Sequence, residues 1–272
     1  MSLSRIITLL TDFGLNDVYV GVMKGVIAQI DPTLTVIDLT HEIPPQNIMA
    51  GRFCLMNAYP YFPEGTVHVA VVDPGVGTKR RAIALQLPTG YLVGPDNGLL
   101  SGIIKQQEII TAVELTNSHY WRTPEPSATF HGRDIFTPAA AHLAGGVPIQ
   151  ELGTPIDRHT LADLSLPDPK QTQNTIEGCI QHIDRFGNLI TNIPGDRVAG
   201  TSWTVTFPTS PKRSIIPSRQ TYGDIHPGSL LSLIGSHGWV EIAANGDSAQ
   251  FQLELNWRAK VEIHLDSKSI DS

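Results

Sequence analysis

Short apolar runs alternate with segments of helical spacing through the first half of the chain. This alternation restricts the fold more than any other feature of the sequence. Ile6–Leu10 is apolar apart from Thr8 and ends at Thr11-Asp12-Phe13-Gly14. Val18–Ile30 carries Val18, Val22, Val26 and Ile30 along one helical face and stops at Asp31-Pro32. Thr35–Leu39 is rich in β-branched residues, Asn47–Tyr59 reads as a helix closed by Pro60, and Val67–Val72 is a strand that runs into Asp73-Pro74-Gly75. Ala82–Leu87 and Tyr91–Val93 flank Pro88-Thr89-Gly90 as a hairpin. Strand–helix–strand order predicts an α/β domain with a mainly parallel sheet. Ligands of such sheets bind beyond the carboxyl ends of the strands. Asp12 and Asp73 both stand there. One Asp after a strand is ordinarily a turn or cap residue; two of them, each in a glycine-containing loop, mark a candidate site.

The rest of the chain is patterned differently. Ile176–Ile183, Thr204–Phe207, Leu230–Ile234 and Trp239–Ala243 are short β-type runs separated by Gly, Pro and Asn turns. They predict a smaller antiparallel β-barrel domain. The expected organisation is an α/β N-terminal domain over 1–155, a Pro- and Asp-rich linker over 156–175, the β-barrel C-terminal domain over 176–265 and a tail over 266–272. With 41% hydrophobic and 17% charged residues, the chain has apolar side chain enough for both cores.

Several function classes are disfavoured. A net charge of −7 and a pI near 5.8 argue against a nucleic-acid partner, since the basic clusters are only Lys79-Arg80-Arg81 and Lys212-Arg213. No run approaches the roughly 20 apolar residues that span a bilayer. The start of the chain lacks a signal-peptide pattern, so a soluble, cytoplasmic protein with no membrane partner is expected. Cys54 and Cys179 have no metal-ligand spacing and read as two buried thiols. Neither a phosphate-binding glycine loop nor a zinc motif occurs, so no cofactor and no metal are expected. Gly235-Ser236-His237 is not a nucleophile elbow.

Four segments concentrate the candidate chemistry: Thr11–Asp17, VVDPGVGTKR at 71–80, FHGRD at 130–134 and DRFGNLITNI at 184–193. Taken together and in order, they resemble the S-adenosylmethionine (SAM) hydroxide adenosyltransferase family, a relative of the fluorinating and chlorinating enzymes. The resemblance runs from Ile6 to about His264. It implies an α/β domain, a β-barrel domain and usually a homotrimer, with substrate held between the N-terminal domain of one subunit and the C-terminal domain of its neighbour. It implies that Asp73, Arg80 and His131 handle water and that Asp12 holds both ribose hydroxyls. Asp17, Asp184 and Ser236 match groups around the methionine end, Asn188 an adenine contact, and Tyr222 an aromatic that stacks on adenine.

The halogenating relatives resemble this chain less where the nucleophile sits. They carry hydroxyl side chains at the positions of Val76 and Gly132, and a Tyr in place of Asp73. Neither Val76 nor Gly132 has a side-chain donor for a halide, and Asp73 would repel one. His237 also departs from the halogenating pattern. The resemblance therefore implies hydrolysis of SAM to adenosine and methionine. A halogenase, or a SAM or adenosine sensor without turnover, is the alternative. The intact Asp73–Arg80–His131 set disfavours the sensor.

On the residues alone, blander readings stay open. Asp17 reads as a cap for the helix starting near Val18. Asp184 with Arg185 reads as an exposed ion pair, Asn188 as a turn residue, Tyr222 as packing, and His131 as a structural histidine. His142, on the Ala-rich helix Pro138–Ala144, reads as structural, and Arg133-Asp134 as a local ion pair or helix-start contact.

Overall fold

The computed structural model describes residues 4–164, 166–208, 212 and 214–266. The expected tail lies outside these residues from 267 onward, as does Arg213. The chain divides into two compact units, Met1–Ser165 and Leu166–Ser272.

Unit 1 runs β1 (Ile6–Thr11), α1 (Tyr19–Ile30), β2 (Thr35–Thr40), α2 (Ile48–Ala58), β3 (Thr66–Val71), β4 (Ala82–Leu87), β5 (Gly90–Pro95), α3 (Ser101–Ile104), β6 (Thr111–Glu114), α4 (Thr137–Ala144) and β7 (Thr154–Pro155). Its sheet has the order β2-β1-β3-β5-β4-β6-β7. Pairing is parallel from β2 to β5 and antiparallel from β5 through β7. The parallel part is the one the strand–helix alternation predicts. The change of direction comes at the Pro88-Thr89 connection, which is too short for anything but an antiparallel partner.

Side chains of β1 alternate between two cores, as the strand period requires. Ile7 and Leu9 are fully buried with Met23 and Ile27 of α1 and with the alanines of α4. Leu10 faces the other way, toward Gly51 of α2. Asn47 caps α2 by accepting a hydrogen bond from the Ala50 N–H at 3.0 Å. The helix stops at Ala58, one residue short of the sequence reading. Pro60 cannot continue the ladder, and Tyr59–Tyr61 tightens into a 3₁₀ turn. Cys54 on α2 is only half-buried, unlike Cys179. Desolvation pushes its thiol up to about 11, so it stays protonated and unreactive near neutral pH.

Within the stretch read as a linker, Arg158–Thr160 forms a short 3₁₀ turn. Arg81, paired with Asp96, donates to Thr160 Oγ1 at 2.9 Å and to the Thr160 carbonyl at 2.5 Å.

Unit 2 runs β8 (Lys170–Gln171), β9 (Thr175–Ile183), β10 (Leu189–Pro194), β11 (Trp203–Thr206), β12 (Ile216–Pro217), β13 (Leu230–Ile234), β14 (Trp239–Ala244), α5 (Ala249–Leu253) and β15 (Lys260–Leu265). The order β12-β11-β15-β9-β10-β14-β13 is antiparallel, with β8 paired to β9. A bridge between Ser218 and Ser232 brings the two ends of this sheet together, leaving a nearly closed barrel. Ile176, Ile180, Leu189, Val240, Ile242 and Ile263 fill its interior. No helix among the described residues is long and apolar enough to cross a membrane.

Candidate active site

The sheet of unit 1 places the two Asp residues just beyond the ends of neighbouring strands. β2 lies on one side of β1 and β3 on the other, so successive crossovers leave β1 in opposite directions. Such a switch point opens a crevice at the carboxyl ends of the strands. Thr11 is in register with Val71, so Asp12 and Asp73 leave neighbouring strands only one residue out of step.

The loop after β3 then doubles back. The Val76 N–H donates to the Asp73 carbonyl at 3.2 Å, and the Thr78 N–H to the Gly75 carbonyl at 3.1 Å. Gly77 has φ +75°, and a Cβ there would sit 2.3 Å from the Ala128 carbonyl oxygen, so only glycine fits. These turns return Arg80 over Asp73. Arg80 donates from Nε to both Asp73 oxygens at 3.0 Å and from Nη2 to Oδ2 at 2.5 Å. Nη2 also lies 2.7 Å from Nδ1 of His131. The side chains of Asp73 and Arg80 are only 4% and 10% exposed. The guanidinium carbon stands 5.3 Å from the centre of the Phe136 ring.

This arrangement fixes the state of His131. A guanidinium has donors only, so Nδ1 must accept, which puts the imidazole proton on Nε2. Burial, and then the Arg80 charge, lower the pKa of His131, so the ring is neutral near neutral pH. Arg80 spends Nε and Nη2 on Asp73 and His131; among the described residues the two N–H groups of Nη1 have no acceptor.

His131 opens a π-helical turn, Gly132–Phe136, that runs into α4. Such turns recur at functional sites. Asp134 holds this turn. Its carboxylate, with no solvent exposure, accepts from Arg122 Nε at 2.6 Å, from Arg133 Nε and Nη2 at 2.7 Å and from the Ser127 N–H at 2.9 Å. Arg133-Asp134 is thus the local ion pair read from the sequence, extended by Arg122. Beside it, Phe13, Tyr19 and Phe130 form an edge-to-face cluster with ring centres 5.3–5.9 Å apart. A Cβ on Gly132 would meet Phe130 and Met23 at 3.3 Å.

Asp12 accepts the Gln46 N–H on Oδ2 at 2.7 Å; among the described residues its Oδ1 has no hydrogen bond. Gln46 is itself in the left-handed region, φ +63°. His41, which the sequence reading passed over, braces this loop. Its Nδ1 lies 2.8 Å from Thr11 Oγ1, and its carbonyl accepts from Gly14 N–H at 2.8 Å. Asp17 is exposed and caps nothing: α1 has Val18 at its N-cap and no side-chain cap bond. The capping alternative for Asp17 is therefore removed.

In unit 2, Asp184 and Asn188 form one motif. Asp184 Oδ1 accepts from the Phe186 and Asn188 N–H groups, and Oδ2 from Asn188 Nδ2, all at 2.9 Å. Gly187 makes the turn with φ +80°. Asp184 is thus occupied by its own turn, and the exposed Asp184–Arg185 pair expected as the bland reading is not what holds it. Ser236 is exposed in the turn between β13 and β14. Tyr222 leaves 46% of its surface exposed while its hydroxyl donates to Glu241 Oε1 at 2.8 Å. Glu241 was not singled out in the sequence. Among the described residues no group of three His, Cys, Asp or Glu is placed to hold a metal ion.

Comparison with known proteins agrees with the geometry. The family model for the SAM hydroxide adenosyltransferase N-terminal domain matches residues 7–153, and that for the C-terminal domain residues 178–262. The chain belongs to the SAM hydroxide adenosyltransferase family. It is 41% identical to the (R)-S-adenosyl-L-methionine hydrolase of Salinispora tropica, over 89% of this chain and 91% of that protein. A fluorinase from an Actinoplanes species is 30% identical over 69% of this chain and 71% of its own. The crystal structure of an uncharacterised conserved protein from Thermotoga maritima superposes with a TM-score of 0.88 at 36% identity, covering 95% of this chain and 99% of that one.

For a SAM hydroxide adenosyltransferase, the joining of Asp73, Arg80 and His131 has a direct chemical meaning. The group offers a fixed cation whose Nη1 makes no hydrogen bond among the described residues, and an imidazole Nε2–H. Those groups can donate hydrogen bonds to an anionic oxygen.

Proposed function

We propose that this chain hydrolyses SAM to adenosine and L-methionine by attack of water, as hydroxide, on the ribose C5′. The observation that carries the reading is the Arg80 guanidinium shared between Asp73 and His131 at the switch point. The sulfonium leaves as a neutral thioether, so no acid is needed for the departing group. The enzyme's task is to hold and orient the nucleophile, and orientation alone contributes up to about 7–11 kcal/mol in favourable cases. Arg80 stays protonated and cannot serve as a base. His131, with Nδ1 turned to Arg80, donates from Nε2. The pair therefore favours ionisation of a bound water, whose proton passes to solvent. The hydroxide oxygen then forms its bond to C5′ as the C5′–S bond breaks and the electron pair leaves on the methionine sulfur. Asp73 balances the charge of Arg80. Asp12 receives the ribose hydroxyls on its open oxygen. Asp17, Ser236 and Asp184 serve the methionine end, and Asn188 and Tyr222 serve adenine.

The Salinispora relative is named for the (R) compound. With the amino acid already specified as L, that label describes the sulfonium centre, and we take the (R) sulfonium epimer as substrate here too. The test is to supply each epimer separately in ¹⁸O-labelled water, with and without halide. Adenosine labelled at the 5′ oxygen, formed from the (R) epimer and without halogenated nucleoside, is expected. Unchanged substrate in every arm would sink the reading. The fluorinase alternative is disfavoured because Val76 and Gly132 offer no side-chain donor, and Phe130 and Met23 crowd the space beside Gly132.

The pH dependence follows from His131. Protonating Nδ1 would set an N–H against the Arg80 donor and break the contact. Because burial and Arg80 hold this pKa below its usual 6.5, neutral His131 persists below that pH. The limb of kcat/KM that falls on acidification should therefore lie below pH 6.5. A limb at or above it would show that His131 is not the group that titrates.

The active form is proposed to be a cytoplasmic homotrimer, each site completed by unit 2 of a neighbour. The exposed apolar side chains Leu15, Val18 and Tyr19 of unit 1, and Phe186 and Phe251 of unit 2, support this. Sedimentation of a fully active monomer would overturn it.

A further inference from the structure

We infer that Glu241 is a positioning residue for substrate recognition, joining the adenine-stacking Tyr222 to the turn that carries Ser236. The inference rests on the function proposed above. Glu241 lies in β14 between Val240 and Ile242, which point into the barrel core. Alternation therefore turns Glu241 to the outer face, where a carboxylate ordinarily meets water. Instead it is only 3% exposed. Two side chains cover it. Tyr222 donates its hydroxyl to Oε1 at 2.8 Å, and His237 Nε2 stands 3.0 Å from Oε2. The other ring nitrogen of His237, Nδ1, accepts the Trp239 N–H at 3.2 Å, so Nε2 carries the proton and donates to Glu241.

The contact is built closely. A Cβ on Gly235 would come within 2.5 Å of the His237 ring and 2.7 Å of Glu241 Oε2, so any side chain there would push these two groups from their present positions. One buried acceptor thus fixes two elements distant in sequence: the 3₁₀ turn Tyr222–Asp224, itself closed by a capping box between Thr221 and Asp224, and the hairpin turn holding Ser236. Burial and the Glu241 contact both push the Tyr222 hydroxyl upward, so it remains a donor. Anchored at its hydroxyl, Tyr222 still leaves 46% of its surface exposed. Stacking on a base depends on such a preset plane, because an unfixed ring must be ordered at the moment of binding.

The test compares full-length wild type with Glu241→Ala, Glu241→Gln, Tyr222→Phe and the Ala/Phe double variant. The readouts are KM and kcat on SAM, and the Kd for adenosine by calorimetry. Glu241→Ala is expected to raise KM and adenosine Kd by about tenfold, with kcat moving less than about threefold. Gln can accept from His237 and donate to Tyr222, so Glu241→Gln should recover to within about threefold of wild type. Tyr222→Phe should raise KM by about threefold or more, and the double variant should be no worse than Glu241→Ala alone, because both remove the same link. An unchanged KM and Kd in folded Glu241→Ala, a loss of kcat alone, a Gln variant as poor as Ala, or additive effects would each overturn the inference. Should Glu241→Ala not fold, an unchanged KM and Kd in Tyr222→Phe overturn it by themselves. Wild type without turnover refutes the proposed reaction instead, and adenosine affinity then decides the role of Glu241; wild type that neither turns over SAM nor binds adenosine overturns both.

Discussion

Arg80→Lys should lower kcat by about 10²–10³, a loss of the size that follows removal of one preorganised donor to an anionic oxygen, here the hydroxide formed and aimed in the site. KM should change far less, because the lost interaction belongs to the nucleophile and not to the bound substrate. The conservative appearance of the change is misleading. Arg80 uses a planar fork: Nε and Nη2 on Asp73, and Nη2 again on His131. A lysine ammonium is a point charge on a flexible stem. It can pair with Asp73, but it cannot also present donors in the plane that reaches Nδ1 and leave a further pair aimed outward. Single-turnover measurement separates the chemical step from product release. A variant that keeps more than about a tenth of the wild-type chemical rate would remove Arg80 from the nucleophile's site.

The second large effect is on stability. Asp134→Ala strips a fully buried carboxylate from Arg122, Arg133 and the Ser127 N–H. Breaking a buried ion pair costs about 3–5 kcal/mol, and the lower end applies because both arginines keep part of their surface in water. For a unit of this size that corresponds to a fall in Tm of roughly 10 °C, measurable by calorimetry. The pH dependence has a definite sign. Despite its burial, the hydrogen bonds and charges of Arg133 and Arg122, with the Ser127 N–H, hold the Asp134 carboxyl well below the usual carboxylate range. Its contribution is therefore fully present above the unfolded pKa of about 4 and is lost only as pH falls toward the folded value. Wild type and Asp134→Ala should accordingly converge in stability only in strong acid. Equal melting temperatures at pH 7 would show that the arginines find other partners without cost.

How much of this was legible in the sequence differs from site to site. Asp12 and Asp73 were legible as a pair, because apolar strands ending in Asp within a glycine loop follow from periodicity alone. Their adjacency was not, since it depends on which side of β1 each crossover takes. Spacing did not bring Arg80 to His131 either; the turn at Gly77 and the π-turn after His131 do that, and the family resemblance stood in for them. The antiparallel edge of the first sheet was legible only at the β4–β5 hairpin, because β7 is too short to announce itself. Glu241 was invisible for a clear reason. A charged residue between Val240 and Ile242 is what an outward-facing strand position ordinarily holds, and its burial is created by Tyr222 and the 235–238 turn. At Asp17 it was the blander alternative that failed: its place before α1 suggested a cap, but α1 begins at Tyr19 with Val18 at its N-cap and no side-chain cap bond.

The one-residue offset between Asp12 and Asp73 has a consequence for how such a scaffold diversifies. On the proposed reaction, the distance between the strand that ends at Asp12 and the strand that ends at Asp73 is set by backbone pairing within the sheet and not by the loops that follow. Within the fixed turns of the loop after β3, a change at a position such as Val76 would therefore alter the surroundings of the attacking atom while the paired strands keep their spacing.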